Sequence, residues 1–374
     1  MRIGLMIYGS LDRLTGGYIY DRMLVKYLRG HKDDVEIISL PEKSFMHHLW
    51  DNLSSQLLHY LEDLDCELLL QDELNHPSLF MLNRRLRQKV SYPIVSIVHH
   101  LRCCEENSPL INPVYRLVER QYLSSLTGFV CNSQATLRSV TDLLSTCDSS
   151  TGDSVCFKPQ SIPFIVANPG GDRFHPQISR MEIRKRVLQE GAMRLLFVGN
   201  IIPRKGLHVL LKSLNGSEAD QFIINVVGDT EMDPCYFESV CRQIKRDGLT
   251  DFVRFKGILS DSELAGCMKA SHLLVMPSFY EGFGIVYLEG MGFGLPAIGT
   301  NCGGTKEIIR HGMNGFLVSP GDHASLAAYL TRLAKDRELL LEMSLAALDH
   351  YHSQPTWENS MENIRTFLQG LIER

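Results

Sequence analysis

The stretch Phe279–Pro296, FYEGFGIVYLEGMGFGLP, organises the rest of the chain. A glycine-containing loop at 280–284 leads into a predicted short helix at about residues 285–293, and Gly294 then ends that helix before Leu295 and Pro296 enter a strand. The predicted helix is apolar on almost every side. A helix of that composition is expected to be buried.

Glu289 is the only charged residue of this helix. A carboxylate taken out of water costs several kcal/mol unless an opposite charge or a set of hydrogen-bond donors matches it. No basic residue lies within one turn of Glu289 in the sequence, so its partner is expected to come from elsewhere. A ligand rich in hydroxyl groups is one candidate, and a distant arginine is the other.

Glu281 lies just before the predicted helix, with Gly282 and Gly284 beside it. Glycines let the backbone approach a bound group closely, and the first N–H groups of a helix are free to bind an anion. Two acidic groups for hydroxyls and a set of donors for phosphate together indicate a nucleotide-sugar site. The alternative is a tight turn with no ligand, and this stretch alone favours the two about equally.

Length and composition are those of an ordinary globular protein. The 374 residues allow two domains, and 44% of them are hydrophobic and 22% charged. A net charge of −5 gives no argument for nucleic acid as a partner. The start of the chain lacks the pattern of a signal peptide, and the ten cysteines lack the spacing of a zinc site or a disulfide framework. We therefore expect a cytoplasmic protein with reduced thiols.

Two series of short apolar runs alternate with helical patterns, which predicts parallel, doubly wound sheets. The break between them follows the turn at 168–172, so we expect two Rossmann-like domains facing across a cleft: 1–175 together with a tail helix at 355–374, and 176–354. The predicted strands are Ile3–Tyr8, Val35–Leu40, Leu68–Leu70, Ile94–Val98, Phe129–Cys131, Phe164–Val166, Leu195–Val198, Ile223–Val227, Val253–Phe255, Leu273–Met276, Ala297–Gly299 and Phe316–Val318.

Two places in the first half are candidates for a site. Gly16 and Gly17 follow the first strand, and His99 ends the fourth. Ligands of such sheets gather at the carboxyl ends of the strands. The alternatives are a flexible connection for the glycines and a hydrogen-bonded core residue for the histidine.

Three other features of the first half carry predictions. Residues 45–64 have the pattern of one amphipathic helix, and residues 145–160 have the composition of a surface loop. A basic cluster, Arg84, Arg85, Arg87 and Lys89, lies late in a helix. The helix dipole explains the cluster adequately, and contact with an anionic membrane surface is the alternative.

Arg204 and Lys205 stand in the second half between a strand and a helix, with Gly199 and Gly206 on either side. The segment is not a Walker motif. Two cations beside a helix start can still hold an anion by fixed charge and backbone donors. Adjacent cations are usually solvated surface, but the flanking glycines favour the anion site.

Taken together, these residues make the chain resemble the retaining glycosyltransferases of family 4, the "glycosyl transferases group 1" type with the GT-B fold. The resemblance is strong over about residues 192–335 and weaker over the first half. It rests on EGFGIVYLE, with Glu281 and Glu289 at its ends, on Arg204-Lys205-Gly206, on the run at 303–307 and on the turn at 168. The first of these is the specific part.

The resemblance implies a role for each of these positions. Arg204 and Lys205 would neutralise the donor diphosphate, Glu281 would contact sugar hydroxyls, and Glu289 would take the ribose hydroxyls. The amides of Phe283, Gly284 and Ile285 would lie near sugar or phosphate, with Gly282 in the same loop. His99 would lie near the donor sugar and the acceptor, and Gly16 and Gly17 would cover the phosphates.

The resemblance further implies a hexosyl transfer that retains configuration by front-face attack, without a metal, a cofactor or a protein nucleophile. The donor would be a nucleoside diphosphate sugar, and the acceptor an unidentified hydroxyl of a glycan, lipid or small molecule. One alternative is a catalytically silent relative that binds the nucleotide sugar. Another is a nicotinamide-dependent oxidoreductase, which the lack of GxGxxG after the first strand disfavours.

Overall fold

The computed structural model describes residues 1–106, 108–145, 162–214 and 219–374. The surface loop predicted at 145–160 lies, apart from its first residue, outside the described residues. In the described part of the chain, no helix has both the length and the apolar composition needed to cross a membrane.

Two six-stranded sheets, in which all the strand pairs are parallel, form the framework, so the predicted α/β fold class is confirmed. The strand orders are β2-β1-β3-β4-β5-β6 and β12-β11-β10-β7-β8-β9. Each of the twelve predicted strands is present. Their bounds are β1 Arg2–Tyr8, β2 Asp34–Leu40, β3 Leu68–Asp72, β4 Ile94–Val98, β5 Gly128–Cys131, β6 Phe164–Val166, β7 Met193–Val198, β8 Phe222–Val227, β9 Val253–Gly257, β10 Leu273–Met276, β11 Ala297–Thr300 and β12 Gly315–Val318.

Helices occupy most of the connections between the strands. In the described ranges the α-helices are α1 Gly16–Gly30, α2 Phe45–His48, α3 Ser55–Glu62, α4 His76–Leu79, α5 Leu82–Leu86, α6 Asn112–Leu123, α7 Gln134–Ser145, α8 Arg180–Leu188, α9 Leu207–Ser213, α10 Pro234–Arg246, α11 Asp261–Ala270, α12 Ile285–Gly292, α13 Thr305–Ile308, α14 His323–Lys335, α15 Arg337–His352 and α16 Trp357–Ile372. The strand–helix alternation places the strands' carboxyl ends at one edge of each sheet, which is where ligands of such folds bind.

The chain forms two compact units. One unit comprises residues 1–169 and 358–374, and the other comprises 170–357. The domains expected from the sequence, 1–175 with 355–374 and 176–354, have boundaries a few residues away from these. Each unit has its own apolar core, built around strands such as β4 in the first unit and β10 in the second, which are buried along their whole length.

The single helix predicted at 45–64 is wrong. The segment forms α2, a 3₁₀ turn at Leu49–Leu53 and α3. Ser54 breaks the pattern because it takes an extended backbone and its hydroxyl accepts the N–H of Leu57, which makes it the N-cap of α3. Apolar spacing alone did not show this interruption, since the leucines on both sides of it keep helical intervals.

Candidate functional site

Lys205 and Glu281 form a partly buried ion pair in the second unit. The two atoms Lys205 Nζ and Glu281 Oε1 are 2.6 Å apart, and the Ser278 hydroxyl donates to the same oxygen at 2.7 Å. Burial by itself raises the pKa of Glu281, but the charges of Lys205 and Arg204 outweigh it and lower that pKa. Glu281 is therefore ionised at neutral pH although only 7% of its surface is exposed.

The loop that ends β7 is held against the loop that follows β10. The Arg204 guanidinium donates to the carbonyl of Tyr280 at 2.8 Å, and the Phe279 N–H donates to the carbonyl of Arg204 at 2.8 Å. A Cβ at Gly206 would overlap with the carbonyl of Pro277, and the residue has a left-handed φ of +73°. Only glycine fits there. The sequence thus brings Arg204, Lys205 and Glu281 to one place.

The start of α12 presents backbone donors beside this pair. Gly284 precedes the helix with a φ of +91°, which favours glycine. Among the described residues, the N–H groups of Phe283, Gly284 and Ile285 have no protein acceptor. Free amides at a helix start, next to Lys205, form a site suited to a phosphate or a sugar oxygen.

Glu289 has a protein partner, the distant arginine that was one of its two candidate partners. Its Oε1 lies 2.7 Å from Nε of Arg173, and the same guanidinium reaches Asp261 through Nη1 at 2.9 Å. Burial raises the pKa of Glu289, and Arg173 offsets only part of that effect. The distant arginine is therefore the correct alternative of the two. The sequence did not show which arginine it is, because 116 residues separate the two partners.

In the second unit the structure therefore assembles the predicted residues as two neighbouring ion pairs along one helix and its preceding loop. Glu281 forms an ion pair with Lys205, and Glu289 forms one with Arg173. The Oε2 oxygen of Glu289 has no hydrogen bond among the described residues, so it remains available to a further donor.

His99 lies in the first unit against the start of α1. A Cβ added to Gly17 would lie 3.0 Å from Cδ2 of the imidazole, so the glycine permits this close approach. The backbone N–H of His99 donates to Oε2 of Glu73 at 2.9 Å, and Nε2 of the imidazole lies 3.2 Å from Oδ1 of Asp21. The predicted Gly16, Gly17 and His99 therefore form one group.

The surroundings of His99 are acidic and almost fully buried. Burial lowers its pKa, but Asp21, Asp72 and Glu73 together raise that pKa to about 9. The structure thus gives His99 an acidic partner that the sequence did not indicate, because Asp21 lies in the middle of a helix with no motif around it. A carboxylate oxygen of Asp21, one of Asp72 and a ring nitrogen of His99 all lie within 4.8 Å of one another.

A family model matches part of the chain: residues 179–349 match "Glycosyl transferases group 1". A D-inositol 3-phosphate glycosyltransferase of Streptomyces scabiei is 33% identical over 198 residues, which are 50% of this chain and 44% of the relative. The chain spans about half the length of the curated relatives it matches.

Solved structures match over the full chain. Sucrose-phosphate synthase from Thermosynechococcus elongatus superposes with a TM-score of 0.81 at 18% identity, covering 100% of this chain and 99% of that one. Anabaena Alr3699/HepE in complex with UDP-glucose superposes with a TM-score of 0.76 at 18% identity, covering 99% and 100%. At such identities the similarity establishes the fold, which is that of the GT-B glycosyltransferases.

The segment that carries EGFGIVYLE and Arg204-Lys205-Gly206 is the segment that the family model covers. The resemblance to glycosyl transferases group 1 is thereby confirmed over residues 179–349.

Proposed function

We propose that the protein transfers a hexosyl unit from a nucleoside diphosphate sugar to an acceptor hydroxyl of a glycan, lipid or small molecule. The observation that carries this proposal is the Lys205–Glu281 pair placed beside the amides at the start of α12. A fixed cation, a carboxylate and free N–H groups match a diphosphate joined to a sugar. The relative bound to UDP-glucose supports this class of donor.

Lys205 serves the leaving group in this proposal. Without donor, its ammonium is paired with Glu281; with donor, it shares its three hydrogens between Glu281 and the diphosphate. Arg204 adds a second positive charge nearby. Because these cations are held in place before the reaction, they stabilise the negative charge that develops as the bond to the sugar breaks.

Glu281 and Glu289 bind hydroxyls in this proposal. Ser278 and Lys205 both bond Oε1 of Glu281, which leaves Oε2 for a sugar hydroxyl. Arg173 likewise bonds Oε1 of Glu289, so the ribose would be held by the second oxygen. Arg173 therefore favours the charged form of Glu289 and leaves its second oxygen for the ribose.

The reaction that we propose retains the configuration of the sugar by front-face attack, with a diphosphate oxygen helping to deprotonate the acceptor. It uses no protein nucleophile, metal or cofactor. In the first unit His99 would lie near the sugar, and Gly16 and Gly17 near the phosphates. We place the activity in the cytoplasm.

The test is a thermal-shift screen of nucleoside diphosphates and their sugars, followed by calorimetry on the best ligand. We expect a shift that grows with ligand concentration, because binding to the folded state stabilises it by mass action. Glu281→Ala and Lys205→Ala should abolish turnover, and Glu289→Ala should weaken nucleotide binding. The matched control is Glu238→Ala, an exposed glutamate of α10.

Two results would contradict the proposal. One is the absence of a shift with every nucleotide tested while the protein is folded. The other is near-normal transfer by the folded Lys205 or Glu281 variant.

Contact with a membrane surface is a second part of the proposal. Trp50, Leu53 and Met81 are 70%, 61% and 46% exposed. The segment with Trp50 and Leu53 contacts the segment with Met81 and the basic cluster, because Asn52 Oδ1 accepts the Met81 N–H and the Asn52 carbonyl accepts Arg85 Nη1. Apolar side chains beside the basic cluster favour an anionic lipid surface. We expect the protein to cosediment with anionic vesicles and not with neutral ones, and we expect Trp50→Ser to reduce the amount that cosediments. Equal recovery with both kinds of vesicle would exclude an electrostatic contribution to membrane binding.

A further inference from the structure

The carboxylates around His99 carry more negative charge than their surroundings can balance. Asp21, Asp72 and Glu73 are at most 2% exposed, and His99 is 6% exposed. In the described part of the chain no lysine or arginine forms an ion pair with any of the three acids. Three ionised carboxylates and one imidazolium would leave two uncompensated charges inside the unit, which is costly.

Two buried carboxylate oxygens indicate how the excess negative charge around His99 is reduced. Oδ2 of Asp21 and Oδ2 of Asp72 are buried and have no hydrogen-bond donor in the described residues. The remaining oxygens of these side chains have partners: Oδ1 of Asp72 accepts the Leu74 N–H at 2.9 Å, and Oδ1 of Asp21 faces His99 Nε2. The two carboxyl groups lie within hydrogen-bonding reach of each other, so one proton held between them gives both a partner.

We infer that Asp21 and Asp72 share one proton and that this acid pair is a positioning device, which holds the ring of His99 through Nε2 and keeps it protonated. The inference rests on the proposed function, where His99 lies near the sugar. Asp21 accepts the Nε2–H bond, the Glu73 carboxylate fixes the backbone N–H, and the Thr136 hydroxyl donates to the His99 carbonyl at 3.2 Å. The imidazole is therefore held by one hydrogen bond and the backbone of His99 by two.

A protonated His99 ring serves the proposed transfer reaction. Nε2 is committed to Asp21, so Nδ1 is the ring nitrogen left for a further hydrogen bond. A cation held there donates a hydrogen bond to a sugar oxygen and stabilises negative charge, which a neutral imidazole does less well. Asp21 and Asp72 act only through His99, so they are positioning residues.

The surrounding titratable groups agree with a retained proton. Burial and the charge of Asp21 raise the pKa of Asp72 well above its usual range, and burial and Asp72 do the same to Glu73. The other titratable groups that face the cluster from β1, α1 and α6 are the neutral phenols of Tyr8, Tyr18, Tyr20 and Tyr122 and the carboxyl of Glu119. None of these brings a positive charge.

The test is an NMR titration of the full chain with ¹⁵N-labelled histidine and ¹³C-carboxyl-labelled aspartate. The His99 signal is assigned by its loss in His99→Gln. We expect His99 to lose its proton at a midpoint near pH 9 and one aspartate carboxyl to remain protonated at pH 6. Asp21→Asn should lower the His99 midpoint by at least one pH unit, and Asp72→Asn should lower it and remove the protonated aspartate signal.

The control is Asp65→Asn, an exposed aspartate of the same unit that should change neither signal. A His99 midpoint near 6.5 in the unmodified chain would overturn the inference, as would an unshifted midpoint in folded Asp21→Asn. Added Mn²⁺ should leave the His99 signal sharp. If it broadens that signal selectively, a cation takes the place of the shared proton. These readouts need neither donor nor acceptor, so they fail or succeed independently of the transferase proposal.

Discussion

At the scale of single residues, the candidate site residues of each unit include carboxylates that the chain itself pairs with basic groups. Glu281 is paired with Lys205, Glu289 with Arg173, and Asp21 with His99. Each acid is buried, so each would pay a large desolvation cost alone. Pairing keeps the acids in a fixed position before any ligand arrives, which lowers the cost of ordering them on binding.

Removing Arg173 tests this arrangement. Arg173→Ala leaves Glu289 buried without a cation, so we expect a loss of about 3 kcal/mol in the free energy of unfolding at pH 8. Burial raises the pKa of Glu289, and without Arg173 that pKa rises further. The carboxyl then becomes neutral as the pH falls, so the loss should shrink toward pH 5.

Urea unfolding at several pH values measures this loss. The control is Arg180→Ala, which breaks an exposed pair with Asp349 and should change the free energy of unfolding by less than about 1 kcal/mol. A destabilisation by Arg173→Ala that is the same at pH 5 and pH 8 would show that Glu289 does not depend on Arg173 for its charge.

At the scale of elements, the loop before α12 depends on a second loop that packs directly on its backbone. A Cβ at Gly303 would overlap with the carbonyl of Glu281, and one at Gly304 with the carbonyl of Gly282. The Gly304 N–H also donates to the Glu281 carbonyl at 3.0 Å. The pair of glycines therefore sets the position of Glu281 from outside its own segment.

Gly303→Ala should consequently damage both stability and the site. The new methyl group cannot fit, and φ at this residue is +65°, so we expect a loss of at least about 2 kcal/mol in the free energy of unfolding. Nucleotide binding should weaken in the same variant, since the loop carrying Glu281 must move. Thermal unfolding and calorimetry measure the two effects.

Gly266→Ala is the matched control. Gly266 lies in α11 and a Cβ there would meet no atom within 4 Å, so alanine should raise stability by about 0.5–1 kcal/mol through its better helix propensity. If Gly303→Ala were as harmless as Gly266→Ala, the packing of the two loops would not matter to the site.

At the scale of the whole molecule, the end of the chain returns to the first unit. Helix α16 places Arg365 beside Asp33, with Nε 2.6 Å from Oδ2, and Leu371 against Gly128 of β5. The amino group of Met1 lies 2.8 Å from the same aspartate. Residues more than 330 positions apart thus stabilise one another, and the first unit is not contiguous in sequence.

Arg365→Ala should therefore lower the free energy of unfolding of the first unit by about 1–2 kcal/mol at pH 7. Burial opposes ionisation of Asp33, but Arg365 and the amino terminus lower its pKa. Stability from a lowered carboxyl pKa is present above the unfolded value of 3.8 and is lost as the pH falls, so the effect of the variant should diminish in acid. Arg2→Ala, in an exposed pair, is the control, and an equal effect of both variants would argue against a special role for α16.

The sequence by itself determined the twelve strands, the parallel α/β class and the local groups Arg204-Lys205 and Glu281, because apolar periodicity and glycine positions are local properties. It missed the break at Ser54, since propensity within one segment does not show where a side chain caps the backbone. The sequence also left two possible partners for Glu289, a ligand rich in hydroxyl groups and a distant arginine.

Only the tertiary structure decided which charges meet. Arg173 reaches Glu289 from 116 residues away, and Asp21 reaches His99 from 78 residues away. Burial creates the need for a partner, and that need is visible in the sequence as a charge within an apolar run. The identity of the partner depends on which side chains the packed strands and helices bring within about 3 Å of the buried charge. The spacing of residues along the chain does not determine that distance.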